Sequence, residues 1–320
     1  MVTVTSSRVS HPRPFRFAAQ ISSSASAADW SETARKVEDL GYSTLGMPDH
    51  FGDQLAPVPA MMAAACATST LRVAALVFDN DYKHPVVLAK EAATMDLLSD
   101  GRLELGLGAG WMRTDYEQSG MAYDPPSVRV DRFEEGLAVI KGLLGDGPFS
   151  FSGTHYTVTE LDGQPRPVQR PHPPIVIGGG GRRVLSIAAR EADIVSVNPN
   201  LREGLGGVET APDTVPAATT RKIEWIREAA GPRFGEIELN VLIGFCMITD
   251  DPLPIAEAMA PAFGGITPTE ALHVPICLIG SIDSMVDELQ RRREEWGFSY
   301  IGIEGPWEDF APVVSRLAGT

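Results

Sequence analysis

Three short stretches of this chain combine residue types that can hold a ligand and move a proton. Pro48-Asp49-His50-Phe51 follows an apolar run, Ser43 to Met47, of the length of one strand. An imidazole titrates near neutral pH, so a histidine at a strand end can give or take a proton, an effect worth roughly 10² to 10⁴ in rate. The same side chain would serve equally as a loop cap or as a core histidine bonded to backbone. Asp49 can orient that ring, touch a ligand or cap the loop. Neighbouring side chains on an extended strand point to opposite faces, so the two need not bond each other.

The second stretch, Gly108-Ala109-Gly110-Trp111, sets small residues beside an aromatic wall, which suits a flat ring system. It has the spacing of a weak nucleotide fingerprint but lacks the third glycine and the helix start, which disfavours a dinucleotide fold. The third is Gly178 to Gly181 followed by Arg182 and Arg183, between a buried strand (Ile175 to Ile177) and a helix with Val184, Ile187 and Ala188 on one face. Glycine lets backbone approach an anion closely, and the N–H groups and positive dipole end of the helix then point at it. The plainer reading is a turn that closes strand on helix. Asp79 and Asp81 could suggest a metal, but two acids without a third ligand at defined spacing read better as a solvated turn. His155, His172 and His273 fall in loops or hairpins and receive no role.

The elements that must position these residues alternate apolar strands with amphipathic helices, the pattern of a parallel sheet with right-handed crossovers. Eight strands are expected at Phe15 to Ile21, Ser43 to Met47, Leu71 to Val77, Arg102 to Leu107, Ile175 to Ile177, Asp193 to Val197, Ile237 to Ile243 and Tyr300 to Ile303. Helices are expected around Val58 to Ala67, Val86 to Leu98, Val215 to Ala230 and Asp251 to Phe263, with another capped by Ser281. One more carries Phe133, Leu137, Ile140 and Leu144 on a single stripe. Phe149 to Val158 alternates like a small hairpin. The count makes the fold α/β, a (β/α)8 TIM barrel with loop insertions; an open doubly wound sheet is the alternative. In a barrel the ligand site gathers where strands end, which collects Gln20, Asp49, His50, Phe78, Asp79, Gly108, Gly110, Trp111 and Gly178 to Gly181 at one rim.

Composition sets the outer limits. The chain has 320 residues, 43% of them hydrophobic and 22% charged, which suits one large globular domain over residues 15–320 after a flexible arm, residues 1–14. A net charge of −15 argues against nucleic acid or an anionic membrane as a general partner, so an anionic ligand needs a local basic pocket. Cys66, Cys246 and Cys277 are far apart in apolar surroundings and read as buried free thiols. The N-terminal stretch lacks the apolar core of a signal peptide and no run reaches the ~20 apolar residues of a membrane span, so a cytoplasmic protein is expected.

MPDHF after strand two, LELGLGAGW at strand four and PPIVIGGGG at strand five, in this order and at these separations, resemble the luciferase-like monooxygenase superfamily, and within it the oxidoreductases that use the deazaflavin coenzyme F420. The similarity runs from about Phe15 to Ile303. The resemblance implies a coenzyme across the strand ends, with its phosphate at Gly178, Gly179, Gly180 and Gly181; an acidic protein must meet such a ligand with local cations, for which Arg182, Arg183 and Arg113 are the candidates. It places Asp49 by the coenzyme and makes His50 the proton donor or acceptor. It makes Ala75, Leu76 and Val77, with a non-proline cis peptide among them, the coenzyme wall, with Gly108, Gly110 and Trp111 as the strand-four contact. Gln20, Phe78 and Trp111 are the expected substrate contacts. Sugar-phosphate-oxidising members carry a glutamate where Trp111 stands, which speaks against that substrate class. Hydride transfer between F420 and a small organic substrate is the activity implied, with loops 112–127 and 198–214 as lids and a homodimer as the assembly. An FMN-dependent monooxygenase on the same barrel and a non-catalytic coenzyme carrier are the alternatives.

Overall fold

The computed structural model describes residues 13–320, so residues 1–12 of the expected arm lie outside the described residues. The chain opens with β1 (Arg16–Gln20), α1 (Ala27–Asp39), β2 (Thr44–Met47), α2 (Pro57–Ala67), β3 (Arg72–Ala75), β4 (Phe78–Asp79), α3 (Pro85–Leu98) and β5 (Leu103–Gly108). Next come α4 (Arg113–Ser119), α5 (Pro126–Leu144), the antiparallel hairpin β6 (Pro148–Ser152) and β7 (Thr157–Asp162), β8 (Ile175–Gly179), α6 (Arg182–Glu191) and β9 (Ile194–Val197). The rest is α7 (Pro216–Ala230), β10 (Glu238–Ile243), β11 (Phe245–Ile248), α8 (Leu253–Met259), α9 (Pro268–Ala271), β12 (Cys277–Gly280), α10 (Ile282–Trp296), β13 (Phe298–Glu304) and α11 (Trp307–Leu317).

The parallel strands run in the order β3-β2-β1-β13-β10-β9-β8-β5, and β3 also pairs with β5, which closes the ring into an eight-stranded barrel. The eight expected strands are the eight of the barrel. Each is short and apolar because both its faces are covered, by the barrel interior and by the helices. The helices close the outside with local signals of their own. Ser26 caps α1 by accepting from the Asp29 N–H at 3.2 Å, and α1 then buries Trp30, Ala34 and Val37 against the strands.

Several features differ from the sequence expectations. The stretch expected as a long loop at 112–127 contains α4, whose RTDYEQS sequence has no apolar stripe to announce it. β11 and β12 form a second, two-stranded parallel sheet beside the barrel. With α8, α9 and their 3-10 turns they enclose a small separate core of Ala256, Ala260, Phe263, Ala271, Val274 and Cys277. Of the three free cysteines, Cys277 is buried and Cys246 half-buried, but Cys66 is exposed, on the outer face of α2.

Strand alternation decides what the site can be built from. Register sets Gln20 beside Glu304 and Gly46 at the C-terminal rim, and Gly108 beside Asp79. Near the opposite end, Glu104 receives hydrogen bonds from Arg16, Arg72 and Tyr300. The barrel is thus plugged by charge at its base and lined with small residues at its mouth.

Candidate active site

The mouth is shaped by backbone packing before any side chain acts. The chain leaves β3 at Ala75, passes through a cis Leu76–Val77 peptide and rejoins the barrel as β4, so the non-proline cis bond expected in this wall lies between those two residues. Gly106 permits the detour, since a Cβ there would stand 1.8 Å from the Ala75 carbonyl oxygen. Gly110 has φ +74°, and a Cβ on it would stand 1.9 Å from the Tyr116 hydroxyl and 2.5 Å from the Asp79 carboxylate. The floor of the mouth is close-packed around these glycines and is bordered by half-buried Val77 and Trp111.

His50 sits on this rim, 24% exposed, with its Nδ1 2.7 Å from Asp115 Oδ2. The same oxygen accepts from the Tyr82 hydroxyl at 2.9 Å. A carboxylate only accepts, so Nδ1 carries the proton and Nε2 is the nitrogen left for chemistry. The imidazole meets Trp111 edge to face at 5.5 Å, and rings continue behind it from Phe51 to Tyr82 at 4.4 Å and from Tyr82 to Tyr116 at 5.7 Å. Asp49 does not bond His50. It accepts the Asp79 N–H at 3.2 Å, and burial raises its carboxyl above the usual range.

Asp79 and Asp81 are not the solvated turn expected from their spacing. Asp79 is 7% exposed, and burial, with Asp81 and Asp49 close by, pushes its carboxyl up to about 7. Asp81 is held by Arg132 through Nε at 2.7 Å and Nη2 at 3.0 Å. Among the described residues no group of three or more His, Cys, Asp or Glu is placed to hold a metal ion.

A luciferase-like monooxygenase family model matches residues 8–273. The chain belongs to the luciferase-like monooxygenase family. This luciferase-like chain is 32% identical over 143 residues to an FMNH2-dependent dimethylsulfone monooxygenase of Pseudomonas putida, covering 45% of this chain and 39% of that one. It is 29% identical over 173 residues to an F420-dependent glucose-6-phosphate dehydrogenase of Amycolatopsis mediterranei, covering 52% of this chain and 51% of the other. It therefore spans about half the length, or less, of these curated relatives. Its fold is shared with a coenzyme F420 dependent tetrahydromethanopterin reductase from Methanopyrus kandleri, with TM-score 0.75, 18% identity, and 96% and 99% of the two chains covered.

The structure distributes the remaining expected residues of this family member unevenly. Gln20 stands at the rim with a buried Oε1 that has no hydrogen-bond partner. Phe78, expected to face substrate, is 1% exposed and packs into the main core. Along the glycine run, Gly178 faces Val77 and Asn198 across the mouth, Gly179 clears the Val184 side chain, and a Cβ on Gly180 would stand 2.2 Å from the Pro199 carbonyl. At Gly179 and Gly180 the plainer reading, close packing, is sufficient. Arg182 pairs with Glu228, Arg183 with Asp131 and Glu134, and Arg113 donates to the Glu203 carbonyl; all three arginines are exposed. Their charge is engaged on the surface rather than directed at the glycines.

Sequence reasoning missed a buried cation. Arg129, in the first turn of α5, is 2% exposed, and its Nε and Nη1 are buried without a hydrogen-bond partner. Its guanidinium lies 4.2 Å over the Tyr123 ring, and Tyr123 donates to the Trp111 carbonyl at 3.0 Å. Arg183 ties the first turn of α6 to α5 through the Ser127 carbonyl at 3.4 Å, two residues before Arg129. A guanidinium keeps its charge and its five donors when buried, and orphaned donors call for an acceptor. Asp115, Tyr82 and Tyr116 were missed as well, because they stand in segments read as loop.

Proposed function

We propose that this protein is an F420-dependent oxidoreductase that passes a hydride between the deazaflavin and a small organic substrate, in the direction of reducing an activated double bond or imine. The observation that carries this reading is the His50–Asp115 pair at the rim, with Nε2 uncommitted beside a glycine-floored mouth. A site that moves a hydride must also deliver or remove a proton at the substrate, and a tautomer-locked imidazole does that at neutral pH.

The residues present fit a flat ring with a phosphate. Val77 and Trp111 border the mouth, Gly178 faces Val77 and Asn198 across it, and Arg129, packed over Tyr123 behind Trp111, holds two donors without a partner. When bound, the deazaflavin supplies a carbon that donates or accepts a hydride. The chain does the rest. Val77 and Trp111 hold a ring in one plane, loop 198–214 rests on Trp111 through Gly206 and excludes water, and His50 Nε2 holds the proton. The name of the Amycolatopsis relative supports this coenzyme; Trp111 argues against that relative's sugar phosphate as substrate here. A second reading, an FMN-dependent monooxygenase, is supported by the Pseudomonas relative. Titrating the purified chain with F420 and with FMN, while following oxygen uptake in the reduced state, tests both. Tight F420 binding without oxygen consumption is the expected result. FMN binding with oxygen consumption coupled to substrate would establish the second reading instead.

A further inference from the structure

The Tyr116 hydroxyl lies 2.9 Å from Asp79 Oδ2 and 3.0 Å from Asp81 Oδ2. A phenol has one proton and cannot donate to both. Asp81 is ion-paired with Arg132 through both oxygens and so only accepts, which directs the Tyr116 proton to Asp81. The contact to Asp79 is then a hydrogen bond only if Asp79 Oδ2 carries a proton and donates it to the phenol oxygen. The other oxygen, Oδ1, accepts the Asp81 N–H at 2.8 Å, as a neutral acid can. Every proton in the chain Asp79–Tyr116–Asp81–Arg132 is placed by this count.

We propose that Asp79 is a positioning residue kept as the neutral carboxylic acid, whose hydroxyl, donating a hydrogen bond to the Tyr116 oxygen, fixes α4 and thereby the Asp115 partner of His50. Tyr116 and Asp115 are neighbours in the first turns of α4, so whatever holds one sets the other. The charged and titratable groups packed around Asp79 are Asp49 at the end of β2, Asp81, Tyr82 and Lys83 after β4, Tyr116 on α4, and Arg132 on α5. Arg132 is already taken by Asp81 and Asp124, Lys83 by Glu91, and Arg129 lies over the Tyr123 and Tyr116 rings with no ion pair to Asp79, so an ionised Asp79 would face Asp49 and Asp81 without a cation paired to it. The upward shift of its carboxyl agrees with that geometry. Ionisation leaves two carboxylates competing for one phenol proton, and α4 gives way.

The effect on turnover rests on the function proposed above; the protonation state does not, and the test separates them. Wild type and Asp79→Asn are compared from roughly pH 6 to 8.5, reading coenzyme affinity, kcat and, without any ligand, the infrared carbonyl band of a protonated carboxyl. Asparagine has one donor and one acceptor edge and mimics the neutral acid at every pH. Expected for wild type is a protonated-carboxyl band that fades as pH passes neutrality, with kcat falling by up to about tenfold per pH unit beyond it. Asp79→Asn is expected to lack the band and keep a flat profile. A wild-type spectrum without the band, or the same alkaline fall in both proteins, overturns the proposal. If neither coenzyme binds, the functional reading fails and the band alone decides Asp79. Should Asp79→Asn not fold, Tyr116→Phe replaces it, and a band unmoved in position and pH by that change counts against the chain.

Discussion

At the scale of single residues, His50 is defined by what holds its far nitrogen. Asp115 is 5% exposed and gives the imidazole one tautomer, so the pair separates chemistry from binding. His50→Gln is expected to lower kcat by roughly 10² to 10⁴ while leaving coenzyme affinity within about twofold. Asp115→Asn should lower kcat by a smaller factor with affinity again intact, since it frees the ring to turn rather than removing it. Stopped-flow turnover together with equilibrium titration checks both, and a loss of affinity equal to the loss of kcat would make His50 a structural residue. A second residue sets acid sensitivity. Glu288 is half-buried, which opposes its charge, but Arg291 and Arg292 both donate to it, and together they hold its carboxyl down to about 2. A depressed carboxylate contributes stability that is complete above its unfolded value, roughly 4.3, and lost as pH falls towards about 2. Glu288→Gln is therefore expected to cost on the order of 3 kcal/mol at pH 7 and progressively less below about pH 4 in urea unfolding. A cost independent of pH would show that packing, not charge, is what Glu288 supplies.

At the scale of elements, the barrel strands were legible because each is a short apolar run followed by a helix with a stripe. The insertions were not, because their order comes from contacts distant in sequence. α4 is polar throughout and is held by Asp79 and Asp81 through Tyr116, which no local pattern encodes. The same limit explains the site. His50 and the glycine run stand at strand ends, where counting finds them, whereas Asp115 reaches His50 from one helix and Arg129 lies buried on another. Loop 198–214 shows how such a segment is anchored. Lys222 of α7, 2% exposed, donates to the Asn198 carbonyl at 2.8 Å and the Asp213 carbonyl at 2.8 Å, and pairs with the Asp213 carboxylate at 2.6 Å. One ammonium thus clasps both ends of the loop. Lys222→Met keeps the stem and removes the clasp, at an expected cost of about 2–3 kcal/mol. Limited proteolysis should then cut within 198–214 several-fold faster than in wild type, and coenzyme affinity should fall with little change in kcat. An unchanged cleavage rate there would mean that the contact between Gly206 and Trp111, not Lys222, secures the loop.

At the scale of the whole molecule, an acidic chain places a buried charge cluster at the barrel base, at the end opposite the mouth. Glu104, 2% exposed on β5, accepts from Arg16 of β1, Arg72 of β3 at 3.0 Å and Tyr300 of β13 at 2.9 Å, and Arg16 also grips Glu238 of β10 at 2.6 Å. Five strands meet at these side chains, and the Arg16 guanidinium lies 3.5 Å over the Tyr300 ring. Buried ion pairs owe little net stability to their charges, but removing one partner strands the others. Glu104→Gln keeps shape and leaves two arginines against a neutral amide, so a loss of roughly 3 kcal/mol is expected, seen as a lower urea midpoint. The mouth is assembled from the opposite ends of the strands, and barrels of this kind keep base and rim separate. At a temperature where the variant is still fully folded, its coenzyme affinity should equal that of wild type within about twofold. A variant that is folded yet binds coenzyme poorly would show that base charges set the strand stagger at the rim. The glycine floor would then depend on the whole ring of strands rather than on the residues that border it.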